Sequence, residues 1–154
     1  MTQNVEFSNE LMGTAIHEAG HAVIAEILGI GVRRVSIRPM KNSLGRWVPG
    51  RIHPSQWQEL IIARLAGLQA ELVFNPRTNP GYASGDRQQS IECFNEHNSG
   101  DAAAYLLEAE REAARLVREH WVDIIALAGA LLLHPRQKLW GGEVRELLSG
   151  LAEQ

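Results

Sequence analysis

Two histidines and a glutamate near the N-terminus have the residue types and the spacing of a catalytic metal site. The chain reads His17-Glu18-Ala19-Gly20-His21 inside an apolar run that predicts a helix. Residues four apart on a helix lie on one face, with Cβ atoms roughly 5–6 Å apart. Both imidazoles can therefore reach one zinc ion at about 2.0–2.1 Å. Glu18 lies beside that face, where it can accept a proton from a water that the metal activates.

The residues around this motif favour a metal site over an amphipathic helix that carries two histidines by coincidence. Ala19, Gly20 and Ala22 are small, so the helix can pack closely against a neighbour while both histidines point inward. The motif supplies two ligands, whereas a catalytic zinc site usually has three protein ligands and one open position. The compact extension with a glycine and a third histidine is absent, because Ile24 and Ile27 occupy those positions.

The third ligand must therefore come from elsewhere in the chain. Six residues are candidates: Glu71, Asp86, His53, His97, His120 and His134. His120 lies in a charged stretch and His134 precedes a proline, so each is more typical of a surface residue. Cys93 is most simply a small buried residue, since one isolated thiol forms no recognisable zinc pattern.

Spacing alone leaves Asp86 and Glu71 nearly tied. Asp86 follows the small pair Ser84-Gly85, which would let the chain approach another element closely. A carboxylate at a helix start is also favoured by the helix dipole without any metal. Glu71 is predicted in the middle of a helix between apolar residues, so a buried carboxylate there would need a charged or hydrogen-bonded partner.

Composition and charge limit the class of protein. The chain has 154 residues, 45% of them hydrophobic and 21% charged, which is ordinary for one globular domain spanning 1–154. A net charge of −3 gives no reason to expect nucleic acid as a partner. The single cysteine fits a reducing compartment, and residues 1–10 do not resemble a signal peptide. The apolar run 124–133 is shorter than the about 20 residues that span a bilayer. We expect a soluble, cytoplasmic protein.

Hydrophobic periodicity predicts a mostly α-helical fold with a small β-hairpin. The first helix should begin after Ser8 as its N-cap and end near Gly29 and Gly31, and it is apolar on most of its circumference, which is typical of a central, buried helix. The hairpin is predicted from alternation in Val32 to Arg38 and, more weakly, in Leu44 to Val48.

Four further helical segments are predicted after the hairpin. The first is opened by Pro54 and ends near Phe74, and a short one runs from Ser84 to about Asn98. A long one, capped by Asp101, covers 102–133 with a bend or break near His120-Trp121 and carries a polar half that is most simply a solvated face with i,i+4 ion pairs. The last covers 144–151.

Several segments, in this order, carry a resemblance to a known family. They are 17–22 with the metal motif, Val35 to Pro39, Leu44-Gly45, 66–71 with Glu71, 83–89 with Asp86, and the C-terminal runs 128–132 and 139–144. They resemble the peptidase domain of FtsH-type ATP-dependent zinc metalloproteases over nearly the whole chain. The resemblance implies that His17, His21 and Asp86 bind zinc, that Glu18 is the general base, and that Glu71 lies near the metal and orients a ligand imidazole.

The chain also departs from that family. It has no Gly-x-x-x-x-Gly-Lys-Ser/Thr motif, so ATP-driven unfolding of substrates is not expected, and the segment after Asp86 is shorter than the family's. We therefore predict a zinc metallopeptidase that acts on short peptides or unfolded chain, with the hairpin edge available to an extended substrate. The alternatives are a zinc-binding regulatory or interaction module with weak or no turnover, which the intact Glu18 argues against, and a hydrolase of another amide. The sequence leaves open whether the protein forms an oligomer or has a partner protein.

Overall fold

Helices make up most of the chain, and three short strands form one small sheet. The computed structural model describes residues 6–39 and 45–153. Within these ranges the helices are α1 (Asn9–Ile27), α2 (Trp57–Phe74), α3 (Ser84–His97), α4 (Ala102–Glu119), α5 (Trp121–Leu133) and α6 (Gly141–Ala152). The strands are β1 (Val32–Ser36), β2 (Arg46–Pro49) and β3 (Lys138–Trp140). The predicted mostly α-helical fold is confirmed.

Helix α1 is the centre of the molecule, as its apolar circumference predicts. Ser8 caps it by accepting a hydrogen bond from the Leu11 backbone N–H at 3.1 Å. Gly29 and Gly31 follow its end with φ of +79° and +76°, a backbone conformation that favours glycine. Residues 22–25 are fully buried, because α2, α5 and the sheet all pack against the helix.

Helices α1 and α2 approach each other closely beside the metal motif. A Cβ atom at Gly20 would lie 2.8 Å from the Cβ of Ala70 and 3.0 Å from the carbonyl oxygen of Ala66. The close packing that the small residues of the motif predict is therefore present. It places the face of α1 that carries the histidines directly against the backbone of α2.

The long helical stretch near the C-terminus divides where the sequence predicts a break. Asp101 caps α4 by accepting hydrogen bonds from the N–H groups of Ala103 and Ala104. His120 has φ −109° and ψ 26°, which is not helical, and it separates α4 from α5. Both helices then pack against α1. No described helix combines the length and the apolar character that a membrane crossing requires.

The sheet has one strand more than the predicted hairpin. Its order is β2-β1-β3, and both pairs are antiparallel, with Val35 opposite Trp47 on one side and Leu139 on the other. The third strand is missing from the prediction because three residues are too few to show an alternating pattern. At the junction with α6, a Cβ atom on Gly141 would lie 1.9 Å from the carbonyl oxygen of Val32, so only glycine fits.

Some predicted boundaries are wrong by a few residues. Strand β1 ends at Ser36 rather than Arg38, and α6 begins at Gly141 rather than Val144. Pro54 opens a short 3₁₀ turn that precedes α2, not the α-helix itself, and a second 3₁₀ turn, Pro80–Ala83, lies between α2 and α3. Leu44, the predicted start of the second strand, lies outside the described residues.

Candidate metal centre

Two helices bring the side chains of His17, His21 and Asp86 together. The two histidines come from α1, and Asp86 comes from the first turn of α3. The His17 and His21 Nε2 atoms are 3.0 Å apart, and the Oδ2 atom of Asp86 lies 3.2 Å from the first and 3.3 Å from the second. Among the described residues this is the one group of three or more histidine, cysteine or acidic side chains with metal-binding spacing.

The outer nitrogen of each imidazole has a partner that fixes the ring. The Nδ1 of His21 lies 2.8 Å from the carbonyl oxygen of Ala63, and a carbonyl oxygen only accepts, so this nitrogen carries the proton and donates. The Nδ1 of His17 likewise donates to Oε1 of Glu71 at 2.5 Å. In the neutral rings both Nε2 atoms therefore present lone pairs to each other and to the Asp86 carboxylate. Three acceptors at this spacing require a positive charge among them.

A zinc ion would satisfy all three acceptors at once. Ligands about 2.0–2.1 Å from a tetrahedral zinc ion lie about 3.3 Å from one another, close to the separations of 3.0, 3.2 and 3.3 Å. A proton on one histidine can be donated to only one acceptor at a time. The donor set of two imidazoles and one carboxylate is also typical of catalytic zinc sites, which keep one further position open.

Gly67 on α2 makes room for the two ligand nitrogens. A Cβ atom at this position would lie 2.5 Å from the Nε2 of His21 and 2.7 Å from the Nε2 of His17. No side chain larger than hydrogen fits there with the histidines in this arrangement. The close approach that the sequence predicts at Gly85 is wrong, because a Cβ atom there would have no described atom within 4 Å. The glycine that the centre requires is on α2.

Asp86 does not cap its helix with its side chain. The N-cap of α3 is Ala83, which makes no side-chain hydrogen bond, and the carboxylate of Asp86 faces the two histidines instead. Its backbone carbonyl accepts a hydrogen bond from the fully buried Ser90 hydroxyl at 2.8 Å. The next residue, Arg87, forms an ion pair with Glu110 of α4, which ties this end of α3 to its neighbour.

Charged groups around the centre shift the pKa values of His17 and Asp86. Burial lowers the pKa of His17, but the hydrogen bonds to Asp86 and Glu71 outweigh it and raise the pKa to about 10. Burial also raises the pKa of Asp86, yet the hydrogen bonds from His17 and His21 hold it well below its usual range. Both shifts express the same property, which is that this point in the protein favours positive charge.

Glu18 lies beside the three candidate ligands and is almost completely buried. Its side chain is only 7% exposed, and its Oε2 atom has no hydrogen-bond partner in the part of the chain that the structure describes. Burial raises the pKa of this carboxyl, although the neighbouring histidines act in the opposite direction. A buried carboxylate oxygen without a partner costs stability and calls for an explanation. Acceptance of a proton during a reaction would provide one.

Trp47 also contacts this centre, and no sequence pattern predicts that contact. Its indole ring, on β2, stacks on the His21 imidazole with ring centroids 5.0 Å apart and planes inclined by 15°. The stack covers one face of a ligand. A tryptophan in a predicted hairpin gives no sign of a helical partner, and Gly67 appears in the sequence as an ordinary small residue, so neither role is visible before the elements are packed.

The remaining candidate ligands lie elsewhere. His53 bonds with Ser55 at the turn before α2, and the His97 ring stacks on Trp57. His120 and His134 face carboxylates of Asp123 and Glu143. Cys93 is buried, as predicted.

Comparison with known proteins does not identify a family for this chain. No protein-family model matches the chain, and no curated protein sequence matches it. The resemblance to the FtsH-type peptidase domain stays a prediction.

Proposed function

We propose that this protein is a zinc-dependent metallopeptidase related to the FtsH-type peptidase domain, and that it hydrolyses short peptides or unfolded chain without ATP. One observation carries the proposal. Two imidazole lone pairs and a carboxylate oxygen converge within 3.0–3.3 Å, while Ala63 and Glu71 fix the ring protons on the opposite side. A buried carboxylate with an unpartnered oxygen lies next to them. This set of groups supports the proposal, because a hydrolytic metal centre needs metal ligands, an open position and a nearby proton acceptor.

Each residue has a role that follows from its contacts. His17, His21 and Asp86 would hold the ion, and Glu71 would keep the His17 ring in the orientation and tautomer that ligation needs. Zinc supplies Lewis acidity, which polarises a carbonyl group and makes water nucleophilic near neutral pH. Glu18 accepts the proton of the attacking water and returns it to the leaving amine, as general base and then general acid. Its raised pKa makes the carboxylate a stronger proton acceptor, which favours the first of these two steps.

An extended peptide is the substrate that fits the surroundings. Strand β2 is an edge of the described sheet, and its Trp47 contacts a ligand ring. A peptide added along this edge would pass the metal centre with its backbone hydrogen-bonded and its side chains little discriminated. We place the protein in the cytoplasm, where its one buried thiol would stay reduced.

The test measures metal content and hydrolysis together. Wild-type protein should bind about one zinc per chain and cleave a quenched, unstructured peptide, with no stimulation by ATP. Glu18→Gln should keep the zinc and lose at least about a hundredfold in kcat, because it removes a proton acceptor but no ligand.

The His17→Ala/His21→Ala double variant is the matched control for metal binding. Stoichiometric zinc in that variant, or wild-type turnover by Glu18→Gln, would overturn the proposal. A wild-type protein that binds zinc without any hydrolysis would favour the interaction module instead.

A further inference from the structure

A second cleft lies next to the metal centre, between α2 and α3. It has a volume of about 400 Å³, and its buried floor is formed by Leu60 and Cys93. Arg64 and Gln89 line the end nearest the ligands, and Trp57 and His97 line the far end. Ile52, in the connection that follows β2, also lines the cleft.

The cleft lies between the same two helices that carry Gly67 and Asp86. Trp57 at the start of α2 stacks on His97 at the end of α3, with centroids 5.2 Å apart, so the two helices run antiparallel. Arg64 precedes Gly67 by three residues and Gln89 follows Asp86 by three, which places both about 4.5 Å further along the same faces of their helices. A peptide residue next to the scissile bond is therefore within reach of this cleft.

Arg64 is the feature of the cleft that selects a ligand. Its side chain is partly buried, and no ion pair of this arginine occurs among the described residues. Its guanidinium lies beside the Cys93 thiol. Burial raises the pKa of that thiol, which keeps it neutral and unable to act as a counter-ion. A partly buried guanidinium without a carboxylate is a ready bidentate binding group.

The acidic residues of the cleft do not act as a counter-ion for Arg64. Glu92 and Glu96 are exposed and lie on α3, six and ten residues after Asp86, toward the outer rim. Glu92 accepts a hydrogen bond from the side chain of Gln88 at 3.1 Å. Among the described residues neither carboxylate forms an ion pair with Arg64, and both are exposed, so water screens their charges.

We infer that the cleft is a specificity subsite in which Arg64 binds a carboxylate of the peptide substrate, close to the scissile bond. The inference rests on the proposed peptidase function and names its substrate class, which is acidic peptides. The carboxylate belongs either to an aspartate or glutamate side chain or to the peptide C-terminus. Neutral peptides would lack this contact.

The experiment compares matched quenched peptides that differ only in one acidic or neutral residue at each position around the cleavage site. Each is prepared with a free and with an amidated C-terminus. The measured quantity is the ratio of kcat/KM for acidic over neutral peptides. Arg64→Gln should lower this ratio by roughly ten- to a hundredfold, the value of a charge-assisted hydrogen bond. Arg64→Lys should restore part of it, and Arg111→Gln on the exposed face of α4 should leave it unchanged.

The two carboxylate sources give different results. Loss of the preference on amidation alone identifies the peptide C-terminus, whereas a preference that survives amidation identifies an acidic side chain. Equal cleavage of acidic and neutral peptides by wild type would overturn the inference, and so would an acidic preference that persists in Arg64→Gln.

A binding measurement separates this inference from the peptidase proposal. Fluorescence anisotropy with a labelled acidic peptide is recorded on Glu18→Gln and on Glu18→Gln/Arg64→Gln, both checked for helical content by circular dichroism. If wild type cleaves nothing, the peptidase proposal fails, but Arg64-dependent binding of the acidic peptide would still support the subsite. Equal affinity of the two variants would overturn it.

Discussion

Two groups of charged residues in this protein have opposite surroundings. On α4, Arg111 pairs with Glu108, and Arg115 pairs with Glu112 and Glu119, all in exposed positions three or four residues apart. At the centre of the molecule, Glu18, Glu71 and Asp86 surround the buried His21 and the partly buried His17. The pairs on α4 neutralise one another within one helix. The central group is drawn from three helices and has an excess of negative groups.

The difference indicates where the function lies. Exposed ion pairs are screened by water and contribute little, so the charges of α4 need no explanation beyond solubility and helix formation. Buried carboxylates lose much of their hydration, and a nearby positive charge is needed to compensate for this desolvation. The raised pKa of His17 and the lowered pKa of Asp86 both report that requirement. The substitutions below test whether zinc is the charge that meets it.

Asp86→Ala should have the largest effect on zinc binding among these substitutions. It removes one of the three acceptors, and we expect zinc affinity to fall by more than about a hundredfold, beyond the usual loss for a group that only orients a ligand. Competition with a chelator measures the change, with Glu92→Ala on the same helix as the control. If Asp86 only favours the start of its helix, the variant would retain zinc and lose about 0.5–2 kcal/mol of stability.

Gly67→Ala should reduce zinc binding almost as strongly while the fold persists. The added Cβ would lie 2.5 Å from the Nε2 of His21, so the ligand rings must move. Alanine itself favours a helix by about 1 kcal/mol over glycine, and far-UV circular dichroism should stay close to wild type. Gly129→Ala on α5 is the matched control, because its Cβ meets no described atom within 4 Å. Full zinc content in Gly67→Ala would contradict the geometry of the centre.

The sequence predicts those parts of the centre that depend on residues close together in the chain. His17, Glu18 and His21 share one helix, and their spacing alone brings them together. The ends of α1 are also local, since Ser8 and the glycines at 29 and 31 have defined backbone roles. The break at His120 follows from the same kind of pattern.

The rest of the centre depends on packing between distant segments. Spacing alone does not distinguish Asp86 from Glu71 as the third ligand, because the choice depends on how α2 and α3 lie against α1. The structure brings Asp86 to both Nε2 atoms and Glu71 to the opposite nitrogen of His17. Gly67 and Trp47 contact the histidines from other elements. Strand β3 is equally non-local, since it is held by β1 about 100 residues earlier.

Glu71→Gln should have an intermediate effect. The amide can still accept a hydrogen bond from the Nδ1 of His17, but it no longer supplies the charge that strengthens that bond. We expect zinc affinity or kcat to fall by about 10–100-fold, with the metal still bound at high zinc concentration. Metal titration beside Asp86→Ala decides the assignment. A zinc-free Glu71→Gln together with a zinc-replete Asp86→Ala would exchange the roles of the two carboxylates.

Arg111→Gln should have the smallest effect and completes the comparison between the two charged groups. The substitution removes one partner of an exposed pair whose Arg111 Nη1 and Glu108 Oε1 atoms lie 3.0 Å apart. Water replaces the lost contact on both sides, so the free energy of unfolding should change by less than about 1 kcal/mol. Zinc content should equal that of wild type. Urea unfolding at low and at high salt provides the measurement, since any contribution of the pair must decrease as salt screens it. A loss of zinc or of hydrolysis in this variant would show that the charges of α4 act on the centre, and the separation between the two groups would then be wrong.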